Sequence, residues 1–166
     1  MTAQPQNLFK TELPEDEPLI IMSRSFDAPL DLVWTVWTQP EHVVHWWGPR
    51  EDNRVIDYDV RKGGKWKIVS SMGDGQTVIF FGTYLDVLPK SLIRNTFVAE
   101  GLYAEDDRFH ETHSFEERDD KTFYRSVSKL KSFEQRQGVL DSGMEWGANA
   151  SMAKVDAILD RLKSGS

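Results

Sequence analysis

The chain contains no cysteine, so disulfides, a thiolate nucleophile and a cysteine-ligated zinc are all excluded. The cytoplasm is the expected compartment. Long apolar runs are also missing. Leu19 to Met22 and Val78 to Phe81 are the longest, far short of the ~20 residues of a membrane-spanning helix, and no basic start followed by an apolar run marks a secretory signal. Basic residues are in the minority, 20 Lys and Arg against 27 Asp and Glu for a net charge of −7. That balance repels a phosphate backbone, and the one basic cluster, Arg61-Lys62 with Lys65 and Lys67, sits in and after a Gly-Gly turn. Nucleic acid is not an expected partner. There is no Gly-x-Gly-x-x-Gly, no Gly-x-x-x-x-Gly-Lys and no Gly-x-Ser-x-Gly segment, which removes the usual dinucleotide loop, phosphate loop and serine nucleophile elbow.

What the chain does have is aromatic mass. Its 166 residues are the size of one domain, and 39% hydrophobic with 28% charged residues is a globular composition. Within it stand six Trp and nine Phe. Each ring buries a large apolar area, either filling a core or lining a cavity for an apolar ligand.

Residues 1–18 hold Pro5, Pro14, Pro18 and the run Glu15-Asp16-Glu17 without sustained periodicity, which predicts a flexible tail. A strand is expected from Leu19 to Phe26. Ala28-Pro29 then opens a helix whose apolar face is Leu30, Val33, Trp34 and Trp37. Thr38 and Glu41 have capping-box spacing, predicting a second short helix through Trp46 that Gly48-Pro49 ends. From residue 53 to 130 the period changes to two. Hairpins are expected around Gly63-Gly64, Gly73-Asp74-Gly75, Pro89-Lys90-Ser91 and Glu117 to Asp120, with a polar loop over 101–107. Ile56, Tyr58 and Val60 are placed on one strand face. Helical spacing returns in Met144, Ala148, Met152, Val155, Leu159 and Leu162. Ser132 to Leu140 is a shorter helical or irregular segment, and 164–166 a frayed end. The order predicts an α+β domain over 19–163, with a curved antiparallel sheet of six to seven strands wrapped around a long C-terminal helix.

This order and several spaced motifs resemble the START-like or SRPBCC superfamily, the helix-grip fold shared with pollen-allergen (Bet v) proteins and polyketide cyclases. The branch it is most similar to is that of the activator of the heat-shock-protein-90 ATPase. The residues carrying the resemblance are Arg24-Ser25-Phe26-Asp27-Ala28-Pro29, Trp37-Thr38-Gln39-Pro40-Glu41-His42 through Trp46-Trp47-Gly48-Pro49, Asp59 to Trp66, Gly82-Thr83-Tyr84, and Ser142-Gly143-Met144-Glu145. It implies a cavity between sheet and C-terminal helix, with Trp37, Trp66, Phe81, Phe97, Met144 and Trp146 in its walls. Trp146 stands where relatives often carry an acid and is expected to tune ligand choice, or else to pack. Trp34, Trp46 and Trp47 read as packing between helices and sheet.

Catalytic chemistry is weakly signalled. His110-Glu111-Thr112-His113 lacks the helical spacing of a zinc protease motif, and on a strand His110 and His113 point to opposite faces. His42 and His45 have no carboxylate or cysteine set beside them. No metal or cofactor is expected and no catalytic residue is assigned. His113, taken as a ligand-binding residue, is with Glu145, Asp57 and Arg125 a candidate for exchanging a proton with a bound molecule, as the cyclase relatives imply. The expected function is carriage or sensing of a small apolar or aromatic molecule. The alternatives are a co-chaperone-like module with a protein partner and, more weakly, a cyclase- or hydrolase-like enzyme.

Overall fold

A computed structural model describes residues 8–50, 52–100 and 108–165. The first seven residues of the expected tail, the expected loop at 101–107 and Ser166 lie outside the described residues. The elements run β1 (Lys10–Glu12), β2 (Leu19–Phe26), α1 (Leu30–Thr38), α2 (Pro40–Trp46), β3 (Asn53–Tyr58), β4 (Lys65–Gly73), β5 (Gln76–Leu88), β6 (Leu92–Glu100), β7 (Phe109–Arg118), β8 (Lys121–Lys129), α3 (Phe133–Asp141) and α4 (Met144–Lys163). The strands form one antiparallel sheet in the order β1-β2-β8-β7-β6-β5-β4-β3. This is the helix-grip architecture. Its eighth strand is β1, which lies inside the stretch expected to be a structureless tail. Lys10, Thr11 and Glu12 pair with Ser23, Met22 and Ile21, and Phe9 donates its backbone N–H to Asn149 of α4 at 3.0 Å.

Two local expectations give way. Thr38 does not cap α2: its hydroxyl donates instead to the Trp34 carbonyl at 2.7 Å, and Gln39 is the N-cap ahead of Pro40. On β3 a bulge displaces Ile56, because Val55 pairs with Ile68 and Asp57 with Lys67. The extra residue reverses the alternation, so Val55 and Tyr58 pack on the core and Ile56 is exposed. At the β3–β4 turn Gly63 has φ +84°, and a Cβ on Gly64 would meet the Asp59 carbonyl oxygen.

Helix α4 buries Met152, Val155, Ile158 and Leu159 against the sheet and α1. Arg24 of β2, its side chain 2% exposed, reaches Asp156 of α4 at 2.7 Å and lies over the Phe26 ring. A second cluster, Ile20, Met22, Phe109, Leu130 and Val139, closes the end of the sheet under α3. No helix among the described residues is long and apolar enough to cross a membrane.

Candidate functional site

Helices α1 and α2 sit over the half of the sheet that runs from β3 to β7, and between them lies a cavity of about 130 Å³. Trp37 comes from α1, and Trp46 and Trp47 from the end of α2, where the chain turns away at Gly48 with φ +70°. The sheet contributes Tyr58, Trp66 and Tyr84 from β3, β4 and β5. Ile93, Asn95 and Phe97 enter from β6 because alternate residues share a face, and Glu111 and His113 enter from β7 for the same reason. Four of the six tryptophans therefore wall one small space.

The rings stand at steep angles to one another. Trp37 and Trp46 are 5.1 Å apart at 40°, Trp47 and Trp66 are 5.5 Å apart at 54°, and Trp66 and Phe97 are 5.6 Å apart at 46°. Trp46 is held by its Nε1–H, which donates to the Val36 carbonyl at 2.9 Å. The Trp66 indole lies over Gly82, where a Cβ would fall 2.6 Å from Nε1 and 2.0 Å from the Thr96 carbonyl oxygen. Only glycine leaves room there. The Trp66 Nε1 is buried and has no acceptor among the described residues.

A polar cluster forms one wall. Asn95 pairs with Glu111 in register and donates to its Oε1 at 3.2 Å. His113 Nε2 lies 3.3 Å from the same Oε1, and Nδ1 lies 2.6 Å from the Tyr124 hydroxyl. A carboxylate only accepts, so Nε2 donates to Glu111, and Nδ1 shares a hydrogen with the Tyr124 hydroxyl. Burial, followed by the negative charge of Glu111, pushes the Tyr124 phenol well above its ordinary value, while a hydrogen bond from Ser126 opposes the rise. Burial also raises Tyr84, with the adjacent Tyr58 adding to the effect. Tyr58 is raised by burial too, and its hydroxyl donates to the Trp37 carbonyl at 2.7 Å.

Of the six residues expected in the walls, Trp37, Trp66 and Phe97 are brought together here with His113, the other expected ligand-binding residue, while Phe81, Met144 and Trp146 are not. Phe80 packs with Trp47 and Phe97 on the core face, so its neighbour Phe81 falls on the other face of β5. Met144 joins the second cluster. Trp146 is two positions further along α4, about 200° around the helix, and is 70% exposed. No α4 residue lines the cavity, because the apolar stripe of that helix is taken up in core packing. Asp57, Arg125 and Glu145 are exposed and lie away from it, with Glu145 accepting from Thr11 at 2.5 Å. Trp46 and Trp47 belong to the walls as well as to the packing. Glu111 was legible as the same-face neighbour of His113, and Asn95 as the middle of the Ile93-Asn95-Phe97 alternation. No cluster of His, Cys, Asp and Glu able to hold a metal occurs among the described residues.

A family model described as Activator of Hsp90 ATPase homolog 1-like protein matches residues 27–160. Among solved structures, protein Ms6760 from Mycobacterium smegmatis is 23% identical, with a TM-score of 0.80 over 90% of this chain and 95% of that one. A protein from Arthrobacter aurescens is 22% identical, with a TM-score of 0.82 over 92% and 91%. One from Staphylococcus epidermidis is 23% identical, with a TM-score of 0.75 over 90% and 93%. At these identities the likeness is one of fold. No curated protein matches the chain.

Proposed function

The chain belongs to the family of Activator of Hsp90 ATPase homolog 1-like proteins, and from that premise we propose that it is a small-molecule-binding protein, a carrier or sensor with the cytoplasm as its expected compartment. The observation that carries the reading is an aromatic-walled cavity with a few convergent polar groups on one side, the usual form of a ligand site. Size narrows the choice. A volume of about 130 Å³ is near the ~150 Å³ that admits a single benzene ring, so the ligand is one ring or a compact alkyl group, not a fatty acid.

Tryptophan emission is the direct readout, because Trp37, Trp46, Trp47 and Trp66 surround the space. Titration with single-ring phenols, anilines and indoles, and with compact alcohols and amines, is expected to give saturable quenching by at least one class, whereas long-chain fatty acids give none. A flat, unsaturable response to the whole panel would overturn the reading. A co-chaperone role draws on family likeness alone, and no feature of the cavity favours it.

A further inference from the structure

The cavity combines two features that favour the same sign of charge. Its walls are mostly aromatic, with Trp37, Trp46, Trp47 and Trp66 foremost, and the face of an aromatic ring is the negative end of its quadrupole. Its single carboxylate is Glu111, and neither Lys nor Arg is among the lining residues. The Glu111 side chain is 18% exposed. Asn95 and His113 both anchor its Oε1, and Oε2 has no hydrogen bond among the described residues. Glu111 is thus the acidic group of the lining, with one oxygen held and the other free of hydrogen bonds among the described residues.

Building on the binding-protein reading, we propose that the ligand is a small organic cation, an alkylated ammonium whose methyl groups pack against the tryptophan rings and whose charge is balanced by Glu111. An alkylated ammonium suits both features. Its apolar surface replaces the water of the cavity, and its charge is attracted by indole faces as well as by the carboxylate. A neutral ring of the same volume gains the packing but not the attraction. An anion is repelled by Glu111 and by the ring faces together. The size agrees, since a trimethylammonium head with a short tail is about as bulky as the single ring that the cavity admits.

The test uses an isosteric pair on the unaltered protein, choline and its neutral analogue 3,3-dimethylbutan-1-ol, titrated by calorimetry and by tryptophan quenching. Choline is expected to bind roughly tenfold or more tighter than the alcohol, the scale of a desolvated cation–π contact. Glu111→Gln, which keeps an acceptor for Asn95 and His113, is expected to remove most of that preference while leaving the alcohol's affinity within about twofold. If the alcohol binds as tightly as choline, the cation is overturned and the binding-protein reading stands. If neither binds, the cation is again overturned, and the panel of single-ring compounds decides whether the binding-protein reading falls with it. If choline keeps its advantage in a folded Glu111→Gln variant, the counter-ion role of Glu111 is overturned. The first comparison requires no variant to fold.

Discussion

Two parts of the interior are built from different side chains and close to different degrees. Under α3 the cluster of Ile20, Met22, Leu130 and Val139 around Phe109 is mainly aliphatic. Their side chains are almost wholly withdrawn from solvent. Under α1 and α2 the interior is ring against ring: Trp37, Trp46, Trp47 and Trp66 meet in sequence at 40–54°, and Phe97 crosses Trp66 at 46° while lying nearly parallel to Trp47 at 24°. Rigid plates that cross obliquely meet along edges and corners, and the gap left between them is the cavity. The comparison teaches that the choice of aromatic over aliphatic residues does more than bury area, because it also decides where a fold of this kind keeps room.

The largest effect that separates the two parts is alkaline. Tyr84 and Tyr124 belong to the aromatic part, and burial holds both phenols above their ordinary value. Above a pH of about 10 the unfolded chain releases these protons while the folded protein keeps them. The unfolded state then binds fewer protons, and stability falls by up to roughly 1.4 kcal/mol per pH unit for each tyrosine. Phenolate absorbance from these residues is expected to appear only together with loss of near-ultraviolet dichroism. A smooth titration near pH 10 in a protein that stays folded would show that the aromatic part is wet throughout.

Next in size is a paired truncation. Leu130→Ala, in the close-packed part, is expected to cost about 3 kcal/mol, whereas Trp47→Leu, beside existing space, costs nearer 1 kcal/mol. Denaturant melts of both variants read the difference. Equal costs would mean that the two parts are packed alike. In the same experiment Trp47→Leu should lower ligand-dependent quenching, and Leu130→Ala should not. The smallest effect is expected at Trp146, which is 70% exposed on α4. Trp146→Glu should leave stability within about 0.5 kcal/mol and ligand affinity unchanged. A shift in affinity would restore the tuning role expected of that position.

Much of the fold was legible because it rests on periodicity. The change from helical to alternating spacing at residue 53, and its reversal before Met144, mark the elements that form. β1 was not legible, since Lys10, Thr11 and Glu12 have no apolar alternation and owe their strand to pairing with β2. The site was half legible. Trp37, Trp66, Phe97 and His113 converge on the cavity. Phe81 and Trp146 belong to elements of the right kind but point the wrong way, because composition does not say which face of a strand or helix turns inward. The bulge at Ile56 illustrates the limit: one unpaired residue moves Tyr58 and Val55 onto the same side, and nothing in Asn53 to Tyr58 announces it.

That same bulge also bears on how the protein behaves in company. A sheet has two margins, and each is a row of peptide groups that a strand from another molecule can complete. Here one margin is β1, a strand of 3 residues. The other is β3, whose ladder is interrupted at Ile56. Among the described residues, neither of these two strands offers a long, flat run of N–H and C=O groups, so each is a poor template for strand-by-strand growth into aggregates. The irregularity that hides the inward face of β3 from a reader of the sequence is also what blunts the sheet toward its neighbours.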